Sequence, residues 1–522
     1  MAFSVIIKNG KIFDGAGSEP FYADIGITDD KISKIGDLSG ENSGRVIDAS
    51  GLFVSPGFID LTSHSDVYGT LFHRPMQESM LTQGVTTILV GNCGESLAPI
   101  AKKESLLELE RWTNLSLNAN WNSMSEYLDS LKKNGLGVNV ATLVGEETIA
   151  RNSEQSGQKE FLLSRSLKDG AWGISINFSF HGGNGASQQE TLNLLKMVKK
   201  YKGVCKIHLS DEGKNFLPAV VATIDLARRS EARVIISHMK AIGREAWEDF
   251  ESALSIIERA RFEGVDIYCD TFPYLRTGSS LLALLPQWAR EGSNEEILAR
   301  LENEESKNKI VFALQKITLH PDRILLASAG KDKKIIGRTL EKIATELGMG
   351  HESAIIEILK LHNLNATIFG KTINPENLIS LLKKNYVCVA SDGAGYDLSF
   401  ADFGNLAHPR SFGTFPRFLK VYASKTNLKM EEAIKKITSL PASLLGLSDR
   451  GIIKKGSIAD IAIFDPLTLK DLSTYKTPFN YSVGVKFVLI SGNIALNEGE
   501  IVANPFGKIL IKKNKSFSFL RR

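Results

Sequence analysis

Eight short segments of the chain consist almost entirely of apolar residues, and longer segments with helical periodicity separate them. In chain order they read PGFIDL, VTTILVGN, VNVATLVG, AWGISINF, VCKIHL, RVIISH, VDIYCD and VCVASD. Continuous apolar strands are typical of a parallel sheet that is buried on both faces. Eight such strands in alternation with helices make a closed barrel. The pattern therefore predicts an α/β protein built on a (β/α)8 TIM-type barrel.

Segments with β character flank the predicted barrel at both ends of the chain. Residues 1–56 contain short alternating segments separated by Asn-Gly, Asp-Asp and Gly turns. Residues 446–522 return to β character in ADIAIFDP, GVKFVLISGNIAL and GKILIKK, and they end in a basic tail. We expect the two ends to pair in one small β-sandwich beside a hydrolase barrel formed by residues 57–445.

The spacing between the seventh and eighth apolar segments is far longer than one helix needs. The intervening stretch includes SNEEILARLENEESKNKIVFALQK and RTLEKIATELG, whose apolar residues recur at helical spacing. We therefore expect a helical insertion at about residues 275–385, before the last barrel strand. Its place at the carboxyl ends of the strands makes it a candidate lid.

Composition limits the class of protein. A net charge of +4 over 522 residues gives no indication of a nucleic-acid groove. The four cysteines lie in or beside apolar strands, which suits reduced thiols in the cytosol rather than a disulfide framework. The chain has no apolar run of membrane-spanning length, and its first residues do not resemble a signal peptide. We expect a cytoplasmic protein that binds neither nucleic acid nor membranes.

Two consecutive apolar segments lead into histidines. VCKIHL contains His208, and RVIISH ends in His238 one strand–helix–strand step later. The carboxyl ends of neighbouring parallel strands meet at one rim, so these two imidazoles are expected side by side. Either histidine alone would more often be a half-buried structural residue. Together they indicate a metal site, because paired imidazoles are common ligands of a zinc-type ion.

Further ligand-type residues follow other strands at the same predicted rim. His64 follows the first strand, Cys93 the second and Asp392 the eighth. A thiolate, imidazoles and a carboxylate form a plausible set of ligands for Zn²⁺ or a related divalent ion. Such an ion lowers the pKa of water toward neutrality, and the activated water can then attack an amide carbonyl. Asp392 is placed to accept the proton and return it to the leaving amine.

An amino acid released by amide hydrolysis carries a carboxylate, which calls for a fixed cation. Lys240 lies two residues beyond His238, and Arg410 lies in the loop after the eighth strand. Either one is suited to bind that carboxylate, and a surface charge is the alternative interpretation for both. Asp211 and Glu212 are candidates for orienting His208.

Long motifs throughout the chain match a known enzyme family. They include GVTTILVGNCG, IHLSDEG, ISHMKAIG, FPY, ASDG, HPRSFGTFPR and TSLPASLLGLSDRG. On these residues the chain resembles the amidohydrolase superfamily and, within it, the N-acyl-D-amino-acid deacylases. The resemblance covers nearly the whole chain. It implies a barrel with a small β-sandwich, a metal held tightly by Cys93, His208 and His238, and Asp392 as catalytic base. It also implies that Tyr274 helps to hold the substrate.

Two departures from the family pattern bear on the metal and the substrate. Relatives carry His-x-His after the first strand, whereas this chain reads Thr62-Ser63-His64. Threonine is a poor neutral ligand, so we expect one tightly bound Zn²⁺, with His64 and Asp392 beside it and a second ion site in doubt. Glu146 and Glu147 stand where relatives usually have a histidine after Val-Gly. That change leaves the substrate preference open.

The predicted function is metal-dependent hydrolysis of the amide bond of N-acyl-D-amino acids, with this small molecule as the expected partner. The D-preference rests on the resemblance alone, and the acyl chain, the side chain and the oligomeric state stay open. One alternative is a cyclic-amide hydrolase of the hydantoinase or dihydroorotase type. Cys93 and the absence of lysine from WGISINF argue against it. The other alternative is a catalytically silent paralogue, for which Thr62 is the only support. His181 in HGGNG is expected to be a loop residue, and Cys205, Cys269 and Cys388 are expected to be packed thiols.

Overall fold

The protein has mixed α/β architecture, and each of the eight apolar segments contains a strand. The structure is a computed structural model that describes residues 2–101, 119–155, 157–179, 188–317, 319–330 and 333–512. His181 and the basic tail beyond residue 512 lie outside the described residues. In chain order the strands are β1 Phe3–Ile12, β2 Phe21–Thr28, β3 Lys31–Gly36, β4 Ser43–Asp48, β5 Phe53–Pro56, β6 Phe58–Asp60, β7 Val85–Val90, β8 Asn139–Thr142, β9 Val144–Gly145, β10 Gly173–Asn177, β11 Val204–His208, β12 Val234–Ile236, β13 Ile267–Thr271, β14 Arg276–Ser280, β15 Ile324–Ala329, β16 Ala366–Lys371, β17 Val387–Val389, β18 Ile461–Phe464, β19 Val485–Ile490, β20 Asn493–Asn497 and β21 Glu500–Ile501.

The helices separate and cover these strands. In chain order the α-helices of the described residues are α1 Thr70–His73, α2 Glu78–Leu81, α3 Met124–Asn134, α4 Glu146–Arg151, α5 Gln158–Asp169, α6 Gln188–Lys200, α7 Phe216–Ser230, α8 Arg244–Glu248, α9 Phe250–Phe262, α10 Asn294–Glu302, α11 Glu304–Gln315, α12 Leu340–Glu346, α13 His351–Leu361, α14 Pro375–Lys383, α15 Arg410–Arg417, α16 Ala423–Thr426, α17 Met430–Ile437 and α18 Ser439–Leu445. Across the described part of the chain, no helix combines the length and the apolar character that crossing a bilayer requires.

The eight predicted strands pair in parallel as one series. β6, β7 and β8 form one sheet, and β9 to β13 with β17 form another. Only Leu143 separates β8 from β9, so the two sheets continue into each other along one chain segment. A parallel bridge between Ser63 and Gly393, just beyond β6 and β17, links the last strand of the series to the first. The carboxyl ends of all these strands therefore lie at the same edge.

Burial on both faces explains why these strands are apolar throughout. In β12, Val234 and Ile236 belong to the large core beneath the helices, whereas Ile235 belongs to a separate cluster. Leu89 of β7 and Cys388 of β17 join Ile235 in that second cluster. Successive side chains of a strand point to opposite faces, so a strand covered on both sides needs apolar residues at every position.

The two ends of the chain meet in one sheet. β5 pairs with β18, and the strand order is β21-β20-β19-β18-β5-β1-β2-β3, with β4 paired to β1. This nine-stranded sheet has its own core, in which Ile7 and Ile25 from the first end join Ile461 and Leu489 from the second. The two ends of the chain thus pair within a single hydrogen-bonded sheet.

The segment between β13 and β17 contains more than helices. β14, β16 and β15 form an antiparallel sheet that packs with α10 to α13 around a separate apolar core. We call residues 276–371 the insertion. The structure thus adds a sheet to the predicted helical insertion, because strands such as RTGSS carry no apolar alternation that would have indicated them. α14, which fell within the predicted bounds, packs instead in the large core.

Candidate metal centre

Cys93, His208 and His238 each bring a ligand atom to one point beyond the carboxyl ends of β7, β11 and β12. These atoms lie within 4.8 Å of one another. The Cys93 Sγ lies 3.2 Å from Nε2 of His238. The rings of His208 and His238 meet edge to face, with centroids 4.4 Å apart. One thiolate and two imidazoles at such separations match the ligand types that Zn²⁺ prefers.

One buried ring nitrogen indicates that the site fits a metal. Nδ1 of His208 is buried, and none of the described residues hydrogen-bonds to it. A buried polar atom without a partner is costly unless it serves as a ligand. The other nitrogen of the ring, Nε2, faces Glu212 Oε1 at 3.9 Å. The ring is therefore oriented with its free nitrogen available to an ion.

Glu212 contacts the outer nitrogens of both imidazoles. Its Oε1 lies 3.2 Å from Nδ1 of His238, in addition to the contact with His208. A carboxylate behind a ligating histidine fixes the tautomer that directs the lone pair toward the metal. Lys240 Nζ lies 2.5 Å from the same oxygen and 2.9 Å from His238 Nδ1. Burial would raise the pKa of Glu212, but Lys240 and the two histidines hold it far below its usual value, so this carboxylate is ionised.

His64 and Asp392 form a second group with Cys93. Nε2 of His64 lies 3.0 Å from Oδ1 of Asp392 and 4.0 Å from the Cys93 Sγ. Arg410 Nη1 donates to the other carboxylate oxygen of Asp392 at 2.5 Å. Burial opposes ionisation of Asp392, but Arg410, His238 and His64 hold its pKa well below the usual value. Asp392 is thus ionised at neutral pH and able to accept a proton.

The Cys93 thiol is held in the form that a metal needs. Burial alone would raise its pKa, but the charge on His238 and the neighbouring imidazoles of His208, His238 and His64 hold it well below the usual value. A thiolate is both the metal ligand and the nucleophilic form of cysteine. The other three cysteines are free thiols that are fully buried, and burial raises their pKa.

The Thr62 hydroxyl is engaged in hydrogen bonds to other protein groups. Its hydroxyl donates to Asp270 Oδ2 at 2.9 Å and accepts a hydrogen bond from Lys206. The hydroxyl proton and one of the two lone pairs are thereby engaged in protein contacts.

Three of the site residues have left-handed backbone. The φ angles are 53° at Cys93, 36° at His238 and 50° at Asp392. Residues other than glycine rarely adopt this region, and such strain is concentrated at functional sites. No composition or periodicity in the sequence indicates these three conformations.

The three residues predicted to bind substrate are all buried beside this centre. Lys240 contacts Glu212 and His238, as described above. The Arg410 guanidinium pairs with Asp392 and lies over the ring of Phe272, 4.9 Å from its centroid. The Tyr274 hydroxyl donates to the carbonyl of Pro409 at 3.3 Å. Tyr274 therefore contacts the residue that precedes Arg410 in the chain. Contact of Lys240, Arg410 and Tyr274 with a substrate stays a prediction.

Sequence reasoning missed one charged residue at this centre. Lys206 is fully buried in β11, two residues before His208. The sequence did contain an indication of this residue, because a lysine stands in the middle of the otherwise apolar segment VCKIHL. A lysine in a strand that is covered on both faces requires an internal partner.

Comparison with known proteins assigns the family. A model described as the amidohydrolase family matches residues 402–496. An N-acyl-D-glutamate deacylase from Alcaligenes xylosoxydans xylosoxydans is 30% identical over 503 residues, which span 94% of this chain and 92% of that one. The chain belongs to the N-acyl-D-amino-acid deacylase family of amidohydrolases. A D-aminoacylase from the same source is 28% identical to this deacylase-family chain over 521 residues, 98% of each.

A solved structure agrees with the family. It is an N-acyl-D-glutamate deacylase from Bordetella bronchiseptica complexed with zinc and a phosphonate inhibitor that mimics the tetrahedral intermediate of the reaction. That chain and this deacylase-family chain superpose with a TM-score of 0.82 at 25% identity, over 98% of this chain and 100% of the other. The amidohydrolase fold expected from the sequence is thereby confirmed.

Proposed function

We propose that this protein hydrolyses the amide bond of N-acyl-D-amino acids and releases a carboxylate and a free D-amino acid. The observation that carries the proposal is the convergence of the Cys93, His208 and His238 ligand atoms next to the ionised carboxylate of Asp392. The names of the family members support the substrate class.

Each residue of the centre has a distinct role in the proposed hydrolysis. Cys93, His208 and His238 would hold a divalent ion such as Zn²⁺, which when bound supplies Lewis acidity for the water and for the amide carbonyl. Asp392 accepts the proton of the attacking water and delivers it to the leaving nitrogen. His64, 3.0 Å from Asp392 Oδ1, and Arg410 on the other oxygen hold that carboxylate in place during both transfers.

We propose that the working centre holds a single zinc ion. In support, the hydroxyl of Thr62 already binds Asp270 and Lys206, and a neutral hydroxyl is a poorer metal ligand than an imidazole. A second group of residues, His64, Cys93 and Asp392, lies close enough together to hold another ion. A second ion there would compete with His64 and Arg410 for the carboxylate that accepts the proton.

Arg410 and Lys240 are proposed to bind the carboxylate of the substrate, and Tyr274 is proposed to help hold the substrate. The Nε of Arg410 is buried, and it forms no hydrogen bond to any residue of the described ranges. A buried guanidinium N–H without an acceptor favours an anionic ligand, and the substrate carboxylate is one. Lys240 and Tyr274 lie on the flanking loops after β12 and β13.

We further propose that the parallel series of strands closes as a TIM-type barrel over residues 57–445, and that residues 1–56 and 446–522 form the β-sandwich beside it. The bridge between Ser63 and Gly393 supports the closure.

The insertion lies next to the site and is proposed as its lid. A small-molecule substrate is the proposed partner, and a cytoplasmic location stays a prediction.

The test is a metal analysis paired with an assay of enantiomeric substrates. Purified protein is expected to contain one zinc ion per chain by mass spectrometry and to release amino acids from N-acetyl-D-amino acids much faster than from the L-enantiomers. Asp392→Asn is expected to lower kcat by about a hundredfold or more, the usual contribution of a general base. The exposed Asp322→Asn is the matched control. Metal-loaded protein that turns over cyclic amides, or no amide at all, would contradict the proposal.

A further inference from the structure

A fully buried cation lies beside the proposed metal centre and takes no part in the mechanism described above. The Lys206 ammonium is completely excluded from solvent. It donates to the carbonyl of Leu61 at 2.6 Å and to the hydroxyl of Thr62, and it lies 2.8 Å from Asp270 Oδ2. An ammonium group has three N–H donors, and here each has an oxygen partner.

Asp270 connects this cation to a metal ligand. Its Oδ2 interacts with Lys206 and Thr62, and its Oδ1 accepts the backbone N–H of His238 at 2.6 Å. One carboxylate in β13 therefore joins the segment after β6, strand β11 and the segment after β12. Both of its oxygens are engaged, and the residue is fully buried.

The hydrogen bond to His238 acts on a strained backbone. His238 has a φ of 36°, which a residue with a Cβ adopts only when its surroundings enforce it. In that conformation its ring nitrogen Nε2 lies 3.2 Å from the Cys93 Sγ. A charge-assisted hydrogen bond to the backbone N–H is stronger than a neutral one and opposes relaxation of the backbone.

We propose that Asp270, with its charge balanced by Lys206, is a positioning residue that holds His238 in the conformation required to bind the metal. The inference rests on the proposed metal centre. Asp270 touches neither the substrate nor the ion in this scheme. Lys206 balances the charge of the carboxylate and orients it, and Thr62 adds the hydroxyl that fixes its second oxygen. Thr62 thus helps to hold Asp270 in place, a role that does not require it to bind the metal.

Paired double variants test this role without leaving a buried charge unpaired. Removal of one member of a buried ion pair is strongly destabilising by itself, so Lys206→Met is combined with either Asp270→Asn or Asp270→Leu. Asparagine keeps an oxygen that accepts the His238 N–H, and leucine of similar size does not. The two proteins therefore differ in the hydrogen bond to the His238 N–H and in the polar contact with the Thr62 hydroxyl.

The readouts are zinc affinity by chelator competition and the absorption spectrum of the cobalt-substituted protein. We expect the leucine double variant to bind zinc at least about tenfold more weakly than the asparagine double variant and to show a changed cobalt spectrum. The control is Asp460→Asn, which disrupts a buried ion pair with Arg450 outside the centre. It should lower the unfolding temperature and leave both metal readouts unchanged.

Equal zinc affinity and identical cobalt spectra for the two double variants would overturn the proposal and make Asp270 merely structural. If the leucine double variant does not fold, Thr62→Val replaces it, because it removes one donor to Asp270 without a change of charge. A shifted cobalt spectrum in Thr62→Val would support the role, and an unchanged spectrum would overturn it. These measurements use no substrate, so inactive but metal-binding wild-type protein would refute the proposed function and leave this test valid.

Discussion

At the scale of single residues, the centre depends on charges that are buried and balanced. The Cys93 thiolate faces His238, and the Asp392 carboxylate is paired with Arg410. Glu212 is balanced by Lys240. Burying an ion is expensive unless a partner of opposite charge lies close by, so each of these groups requires its neighbour. The arrangement keeps the side chains of Cys93 and Asp392 ionised and leaves Nδ1 of His208 free.

The first prediction concerns the reactivity of Cys93. Protein stripped of metal and treated with iodoacetamide at neutral pH is expected to be alkylated at Cys93 and to stay unmodified at Cys205, Cys269 and Cys388. Cys93 is partly exposed and has a lowered pKa, whereas the other three thiols are buried and have raised pKa values. Peptide mass spectrometry measures the modification. Added zinc should protect Cys93, and labelling that is unaffected by zinc would argue against ligation by this sulfur.

The second prediction concerns Glu212. Glu212→Gln is expected to weaken zinc binding by roughly 10- to 100-fold, because the amide no longer offers a charged acceptor to the outer nitrogens of both histidines. It also leaves Lys240 without its counter-ion. Chelator competition measures the affinity. Glu263→Gln, which affects only an exposed pair with Arg228, is the control and should bind zinc as the wild type does.

At the scale of secondary-structure elements, the sequence was most informative where burial is uniform. All eight apolar segments contain strands, since burial on both faces leaves a clear pattern, and His208, His238, Cys93 and Asp392 meet because each follows such a strand. The sheet of the insertion escaped prediction because one of its strands, β14, reads RTGSS and contains no apolar residue. Left-handed backbone and the bonds of Lys206 depend on neighbours distant in sequence, which periodicity does not reveal.

One imidazole links the insertion to Arg410, the partner of the Asp392 carboxylate. Nε2 of His408 donates to the carbonyl of Arg276 in β14, and Nδ1 accepts the backbone N–H of Arg410. The His408 ring packs against Phe369 of β16 with centroids 5.0 Å apart. Burial and the charge of Arg410 hold the pKa of His408 well below its usual value, so the ring is neutral and has the one donor and one acceptor that these bonds require.

The third prediction tests this link. His408→Phe retains the aromatic packing and removes both hydrogen bonds. We expect kcat/KM to fall by about tenfold to a hundredfold, because Arg410 loses its fixed position beside Asp392. Zinc affinity should not change, since His408 contacts none of the three proposed ligands. Steady-state kinetics and chelator competition separate these effects. His320→Phe, in a turn of the insertion, is the control, and a parallel loss of zinc from His408→Phe would show that the link serves the metal instead.

At the scale of the whole molecule, a buried ion pair joins the terminal sheet to the parallel strands. Asp460, next to β18, accepts hydrogen bonds from Arg450, from Nδ2 of Asn139 in β8 and from the backbone N–H of Ser491. The carboxylate therefore connects the sheet built from both chain ends with a strand of the parallel series. Asp460 and Arg450 are both buried, so neither charge can be satisfied by water if the other is removed.

The last prediction follows from that arrangement. Asp460→Ala removes the carboxylate to which the Arg450 guanidinium, the Asn139 amide and the Ser491 N–H donate. The loss of one partner of a buried pair costs about 3–5 kcal/mol. We expect amide hydrogen exchange in residues 459–464 to accelerate at least about a hundredfold, since local opening becomes cheaper by that amount. Exchange in β14 to β16 of the insertion, which has its own core, should stay at the wild-type rate. Exchange that accelerates only in residues 459–464 would identify Asp460 as the local attachment of the sheet. Exchange that accelerates equally in both regions would mean that the terminal sheet, the parallel strands and the insertion unfold as one unit. Glu500→Gln in β21 changes an exposed carboxylate of the same sheet and is the control that should alter neither region.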